Sequence, residues 1–276
     1  MLIYPTIKMG PLLGLQGTGG GLGYLAPKGG GAPEPPSGAA SFLLFGGATA
    51  SFDDQVGSLD FTNTGSQMTL SSSTHGGPPG FTSSGLITGG TGNNTGNVRT
   101  ASDSIPDLSG DFTIDCCCYN SSAPSSNSWM AWSVGTYSGG GSWYIYNSTG
   151  SVRFDTSDTS FSGRLGEAGS SDPQHNYVQN KWCVSRLRRS GNTTHVNWYE
   201  EHANGLTWQN APGSSFSGST TGTGPNIGNS SNGRMILNGW AASHGSGGGY
   251  QVGSSQVSIA WIVVYASSFT GTPYVP

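Results

Sequence analysis

Charge is scarce in this chain. Asp, Glu, Lys and Arg make up 9% of its 276 residues, against roughly a quarter of an average soluble protein. Its polar surface therefore has to be built from Ser, Thr, Asn and Gly. Positive charge is the scarcest, with 10 Lys plus Arg against 14 Asp plus Glu. The one basic cluster, Arg186, Arg188 and Arg189, reads as a solvated strand end and turn. Neutralising a row of phosphates needs a basic face, so no nucleic-acid partner is expected. Long apolar runs are also missing: no stretch approaches the roughly 20 continuous apolar residues that span a bilayer as a helix, and no membrane partner is expected. Pro5, Lys8, Gly10 and Pro11 break up the first residues, which lack the basic-then-apolar layout of a secretory leader. That predicts assembly in a cytoplasm.

Cysteine is limited to four residues, Cys116, Cys117, Cys118 and Cys183. Three in a row suit neither a spaced disulfide framework nor a C-x-x-C metal site. On a strand, Cys116 and Cys118 share one face and Cys117 takes the other, which predicts small apolar core fillers. No helical period of useful length occurs anywhere.

What the chain does have is glycine, 47 residues, with 15 prolines and 11% aromatics. The Gly and Pro content sits just under the roughly 25–30% that argues for disorder. The aromatics weigh the other way, because disordered chains are poor in them. Residues 1–40 stand apart as an extended Gly/Pro-rich arm, with Gly19-Gly20-Gly21, Gly29-Gly30-Gly31 and Pro35-Pro36. Scattered through it are Leu2, Ile3, Tyr4, Ile7, Leu12, Leu13, Leu15, Leu22, Tyr24 and Leu25. Two readings stay open: a disordered leader, or an anchoring arm that orders against another protein. Ordering so many glycines costs conformational entropy, so a partner would have to bury most of those side chains.

Residues 41–276 read as short strands between turn signals. The strands expected are Phe42–Phe45, Val56–Thr62, Gln67–Leu70, Asp111–Tyr119, Trp129–Val134, Ser142–Tyr146, Ser151–Asp155, Lys181–Arg188, Thr194–Glu200, Arg234–Asn238 and Gln256–Tyr265, with Ser84–Ile87 and Asn97–Thr100 as edge strands. Asn147–Gly150 and Ser190-Gly191-Asn192 read as hairpin turns, and Asn204-Gly205, Asn232-Gly233 and Asn238-Gly239 as turns with positive φ. Many short strands at this spacing predict an all-β sandwich or barrel.

Several segments together resemble the concanavalin A-like lectin/glucanase superfamily in its laminin G-like form. Asp111-Phe-Thr-Ile-Asp115 is similar to the family's Asp-Phe-Thr strand, although Cys116-Cys117-Cys118 replace bulky residues after it. Lys181-Trp182-Cys183-Val184, the Arg188–Thr194 hairpin and Val196-Asn-Trp-Tyr199 resemble the Trp-led strand, basic hairpin and Tyr-bearing strand that follow. Val257–Tyr265, then Ser268-Phe-Thr, resembles the closing strand, with Ala260-Trp261 in place of an acidic pair. The resemblance covers roughly residues 41–272 and implies a jelly-roll β-sandwich behind the arm. Modules with this layout and a Gly-rich leader look like virion proteins of tailed bacteriophages, in tail fibres, tail tips and capsid decorations. The implied function is a virion structural protein anchored through its arm to other virion proteins, displaying the sandwich for host-surface attachment. The alternatives are a host-glycan adhesin as the primary role, or a glycan hydrolase. Low charge and many short strands also suit a homo-oligomer, with trimers frequent among fibres and decorations.

Glucanases of this superfamily need two or three carboxylates at alternate positions of one strand, which places them on one face for acid/base or nucleophilic work. No such series occurs. Asp111 and Asp115 lie four apart with Thr113 between them, and Glu200 and Glu201 are adjacent. No enzyme is expected. The histidines His75, His175, His195, His202 and His244 are scattered and read as surface or turn residues. No cofactor or metal is expected. Loop carboxylates Asp155, Asp158 and Asp172 are the ones that would suit Ca²⁺, a hard cation with oxygen ligands. Sugar C–H faces stack on exposed aromatic rings, so the glycan-binding candidates are the aromatics placed in or near loops: Trp129, Trp208, Trp240 and Tyr250. Packing or a subunit contact is an equal reading for each. Trp132, Trp143, Trp182, Trp198 and Trp261 fall on strands and read as core.

Overall fold

The computed structural model describes residues 33–46, 52–63, 68–87, 98–100, 110–120, 129–136, 142–148, 151–156, 181–205, 207–210, 216–219, 233–241, 250–252 and 256–276. The arm residues named above, from Leu2 to Leu25, lie outside this set. The first strands are β1 (Ser41–Leu44), β2 (Phe61–Asn63), β3 (Met68–Ser71), β4 (Ser84–Ile87), β5 (Val98–Thr100) and β6 (Phe112–Asn120). Next come β7 (Trp129–Thr136), β8 (Ser142–Ser148), β9 (Ser151–Thr156), β10 (Lys181–Ser190) and β11 (Thr193–Glu201). The last are β12 (Trp208–Asn210), β13 (Phe216–Ser219), β14 (Gly233–Leu237), β15 (Gly239–Ala241), β16 (Tyr250–Val252) and β17 (Val257–Tyr265). Among the described residues there is no helix.

The strands form a nine-stranded sheet, β12-β11-β10-β6-β17-β4-β3 with β1 on β17 and β13 on β11, and a six-stranded sheet, β2-β5-β14-β7-β8-β9. Every described pairing is antiparallel. The two sheets face each other across one core, which makes the molecule an all-β sandwich. Trp132, Val134, Met235, Leu237, Val98 and Phe61 of the smaller sheet meet Ile114, Cys116, Cys118, Cys183, Trp198, Ile259 and Ile262 of the larger. Trp132 is fully buried, and its indole N–H donates across the sandwich to Ser185 Oγ (2.9 Å), which in turn donates to the Cys116 carbonyl (3.2 Å).

The larger sheet is covered on both faces, which explains why β17 carries nine consecutive buried residues. A strand with no solvated face reads as a continuous apolar run. Its outer face holds Phe42, Leu44, Cys117, Trp182, Trp208, Trp261, Val263 and Tyr265 under the C-terminal segment, with Phe269, Tyr274 and Val275 packed onto them. A bulge between Ile259 and Trp261 divides β17 between the two layers. Ile259 and Ile262 point into the sandwich, whereas Ala260 and Trp261 both join the outer layer. The bulged carbonyl of Ala260 accepts from Phe45 N (2.7 Å) and Gly46 N (3.0 Å), so the extra residue leaves its acceptor paired.

Three expectations need correction. Ser84–Ile87 and Asn97–Thr100 are not edges: β4 lies between β17 and β3, and β5 between β2 and β14. Val56–Thr62 is a strand only from Phe61, because Asp54 gathers the preceding segment into a loop. The Asp54 carboxylate accepts from Phe42 N (2.9 Å), Val56 N (3.0 Å) and Leu59 N (2.9 Å), while Gln55 N donates to the Phe42 carbonyl (2.9 Å). The loop thus takes the place of a neighbouring strand along β1 and blunts its edge. Finally, the basic cluster is not solvated: Arg186 is 1% and Arg189 7% exposed.

Arg186 is buried because Asp115, directly opposite on β6, is buried with it. The guanidinium donates Nε–H to Oδ1 and Nη2–H to Oδ2 of Asp115 (both 2.6 Å), and Nη1–H to Tyr199 Oη (3.1 Å) and the Gly271 carbonyl (2.7 Å). It also sits over the rings of Tyr199 (5.0 Å) and Phe269 (5.2 Å). Burial draws the guanidinium toward its neutral form, but the Asp115 carboxylate outweighs this and holds it charged. With Thr113 Oγ1 donating to the Ser267 carbonyl (2.9 Å), Phe269 N donating to Thr113 Oγ1 (2.8 Å) and Arg188 donating to Ser268 Oγ (2.7 Å), this pair straps the C-terminal segment to the sheet.

Candidate functional site

The expected glycan-binding residues separate into two groups. Trp208 was expected in a loop, but it lies on β12 and is 5% exposed. Its indole N–H donates to the Tyr274 carbonyl (2.9 Å), and its ring meets Trp261 edge-on at 6.5 Å. A ring sealed under the C-terminal segment offers no face to a sugar, so Trp208 is a packing residue.

Trp129, Trp240 and Tyr250 lie on successive neighbouring strands, β15 running beside β7 and β16 pairing with β15. Trp129 opens β7, while Trp240 and Tyr250, expected in loops, sit on β15 and β16, which form a two-stranded ribbon of their own. The turn signal at Asn238-Gly239 explains this arrangement. Asn238 adopts φ 52°, a left-handed conformation that Asn tolerates better than other side chains. The chain leaves β14 there and enters β15. In the smaller sheet Leu237 stands opposite Trp132 and Met235 opposite Val134. The chain beyond Leu237 therefore runs toward the start of β7, and β15 lies alongside β7. On the ribbon, Trp240 pairs with Gln251 and Ala241 with Tyr250. On the sheet, Trp129 pairs with Asn147, and Met130 with Tyr146, which pairs with Arg153.

The start of β7 and the ribbon strand β15 thus run side by side, with Asn147 opposite Trp129 on the sheet and Gln251 opposite Trp240 on the ribbon. Aromatic faces take apolar C–H surface, and amides supply both donors and acceptors. That combination suits a neutral, hydroxyl-rich ligand. Sequence reasoning missed the ribbon because three residues per strand are too few to show a period. The signal that was present was the Asn-Gly pair followed at once by an aromatic.

The other polar candidates are dispersed. Asp115 is fully buried against Arg186, and Asp111 Oδ1 accepts from Gly191 N (2.7 Å) at the β10–β11 hairpin. Glu200 is paired with Lys181 (2.5 Å). Asp155 stands opposite Tyr144 on β9, while Asp158 and Asp172 lie outside the described residues. Among the described residues no three His, Cys, Asp or Glu side chains gather as metal ligands. His75 occupies a turn (φ 60°) but is not a free surface residue. It stacks on Tyr119 at 3.9 Å, and its Nδ1 lies 2.8 Å from Ser258 Oγ. Burial pulls its pKa below the ordinary 6.5.

No family profile and no curated protein matches the sequence. Solved structures do match by fold. The binding domain of botulinum neurotoxin DC in complex with SialylT superposes with TM-score 0.52 at 12% identity, over 84% of this chain and 49% of that one. Trypanosoma rangeli sialidase in complex with 2,3-difluorosialic acid superposes with TM-score 0.50 at 14% identity, over 87% of this chain and 32% of that one. A carbohydrate esterase of the Shiga toxin-encoding bacteriophage phi24B superposes over 82% of this chain and 97% of its own at 14% identity, with a TM-score of 0.46. The chain spans about half of the toxin domain and a third of the sialidase. At these identities the likeness is one of fold: a lectin-like β-sandwich.

Proposed function

We propose that this protein is a carbohydrate-binding module, and that it binds at the end of the six-stranded sheet where β7 meets the β15–β16 ribbon. The observation that supports this reading is the backbone neighbourhood of β7 and β15, strands that carry Trp129 and Trp240 with Asn147 and Gln251 opposite them in register. These strands are neighbours although their residues are spread over more than a hundred positions of sequence. The left-handed residue Asn238 at the root of the ribbon supports it, since such conformations in non-glycine residues concentrate at functional sites. That the toxin domain of similar fold is seen with SialylT is in keeping with it. A glycan array probed with the full chain tests the proposal. Binding to at least one surface polysaccharide is expected, with a loss of tenfold or more in Trp240→Ala and Tyr250→Ala and none in Trp208→Phe. Silence across the array, or equal binding by all variants, would refute it.

A second reading concerns where the module is carried. The apolar side chains between Leu2 and Leu25 favour a virion protein, held by its arm on other virion proteins and presenting the sandwich to a host surface, as its resemblance to the concanavalin A-like modules of tailed phages implies. In both readings the chain binds and does not catalyse.

A further inference from the structure

The four cysteines are not equivalent once folded. All are buried and free. Cys117 belongs to the outer layer, while Cys116, Cys118 and Cys183 share the interior of the sandwich. Cys118 and Cys183 stand directly opposite each other on the paired strands β6 and β10. Their sulfurs are 3.9 Å apart, although the residues are 65 positions apart in sequence. Opposite residues of an antiparallel pair have Cα atoms about 4.5–5.5 Å apart, inside the roughly 4.4–6.8 Å range a disulfide bridges. A small rotation of both side chains then brings the sulfurs to bonding distance without moving the backbone. No other pair has this placement. Cys116 and Cys118 share one strand, about 6.6 Å apart along it and so at the upper end of that range, and Cys117 points into the other layer.

We propose that Cys118 and Cys183 form a disulfide site: met by a peroxide, this pair closes and ties β6 to β10 in the middle of the larger sheet. Cys118 is the attacking sulfur. Hydrogen bonds from Cys116, then Cys183, favour its thiolate against the opposing effect of burial, whereas the Cys183 thiol is pushed up by donating to Cys118 and by burial. The Cys118 thiolate attacks one peroxide oxygen and the O–O bond breaks. Hydroxide leaves and takes up the proton released from the thiol, giving water and a sulfenic acid on Cys118. The Cys183 sulfur then attacks the Cys118 sulfur. The S–O bond breaks, and the departing hydroxide takes the Cys183 proton as a second water. Two thiols are oxidised and one peroxide is reduced to two waters. A protein that passes from a reducing cytoplasm to an oxidising exterior would acquire this tie on release.

The test treats the full-length folded chain with dilute hydrogen peroxide, quenches it, denatures it, and maps tryptic peptides without reduction. The expected product is a peptide holding residues 116–118 linked to one holding Cys183, with two of the four thiols lost and both restored by dithiothreitol. The thermal midpoint should rise by roughly 5 °C or more on oxidation, as closing a long loop constrains the unfolded chain. Cys116→Ala and Cys117→Ala should keep the link, and Cys183→Ala and Cys118→Ala should lose it. If a variant fails to fold, fragmentation of the wild-type linked peptide between residues 116, 117 and 118 decides which cysteine carries the link. Four thiols remaining after oxidation, or a link between any other pair, overturns the proposal.

Discussion

Arg186 shows how far the environment of a residue can depart from its sequence neighbourhood. In the sequence it belongs to a basic cluster beside a turn; in the fold it is buried, engaged by Asp115, Tyr199 and Gly271 at once. The two charges compensate each other only as a pair. Removing one leaves the other buried and unpaired, which costs about 3–5 kcal/mol, whereas replacing both with apolar residues of similar volume is far milder. Arg186→Ala and Asp115→Ala should therefore each lower the stability measured by urea unfolding by about 3–5 kcal/mol. The double variant Asp115→Leu/Arg186→Met should lose much less than the sum of the two. A full additive loss in the double variant would mean that the residues act separately. Half of this pair was legible: Asp115 falls on the expected strand Asp111–Tyr119. The partner was not, because burial of an arginine depends on which strand lies opposite, and the sequence does not state that.

At the scale of elements, the strands most readily read were those with both faces covered or with a clear hairpin. β10 and β11 are joined through Gly191, whose φ of 55° suits the first central position of a two-residue hairpin with a primed turn. What escaped was the loop at 52–60, because one side chain replaces a strand there. Burial pushes the Asp54 carboxyl up, but backbone N–H groups of Gly57, Phe42, Val56 and Leu59 together outweigh it and hold the carboxyl below the usual 3.8. The sign of the linkage follows. Near pH 3.8 the unfolded chain takes up a proton at Asp54 that the folded chain still lacks. Stability contributed by this loop is thus present above the usual carboxylate value and lost as pH falls through the lowered one. Thermal unfolding should show the midpoint dropping more steeply below about pH 4 in the wild type than in Asp54→Asn, which should itself be less stable at pH 6. Parallel curves for the two proteins would place the acid sensitivity elsewhere. The short strands β12, β15 and β16 were invisible for a related reason. A three-residue strand carries no period, and its existence depends on the longer strand it docks against.

For the whole molecule, the proposed division is between an arm that attaches and a sandwich that presents. Deleting residues 1–32 should leave the far-UV spectrum and thermal midpoint of the sandwich essentially unchanged, because every described strand and the core they enclose belong to residues 33–276. The same deletion, introduced into the particle that carries this protein, should abolish its incorporation, read by immunoblot of purified particles. Wild-type incorporation without the arm would end the anchoring proposal and leave the carbohydrate-binding one intact.

The sequence alone determined that this protein is built from strands: β-branched and aromatic runs, turn pairs such as Asn238-Gly239 and the lack of any helical period admit little else. It also determined the alternation of Cys116, Cys117 and Cys118, since a period of two is a property of the strand itself. Only the tertiary structure decided which residues are neighbours. It brought Arg186 to Asp115, Cys183 to Cys118, and the strand β15 alongside β7. It also turned Trp208 from a surface aromatic into a buried one. The physical reason is that local propensities fix the direction and pleat of a strand, whereas pairing across a sheet and the closing of a second layer over it are set by non-local burial.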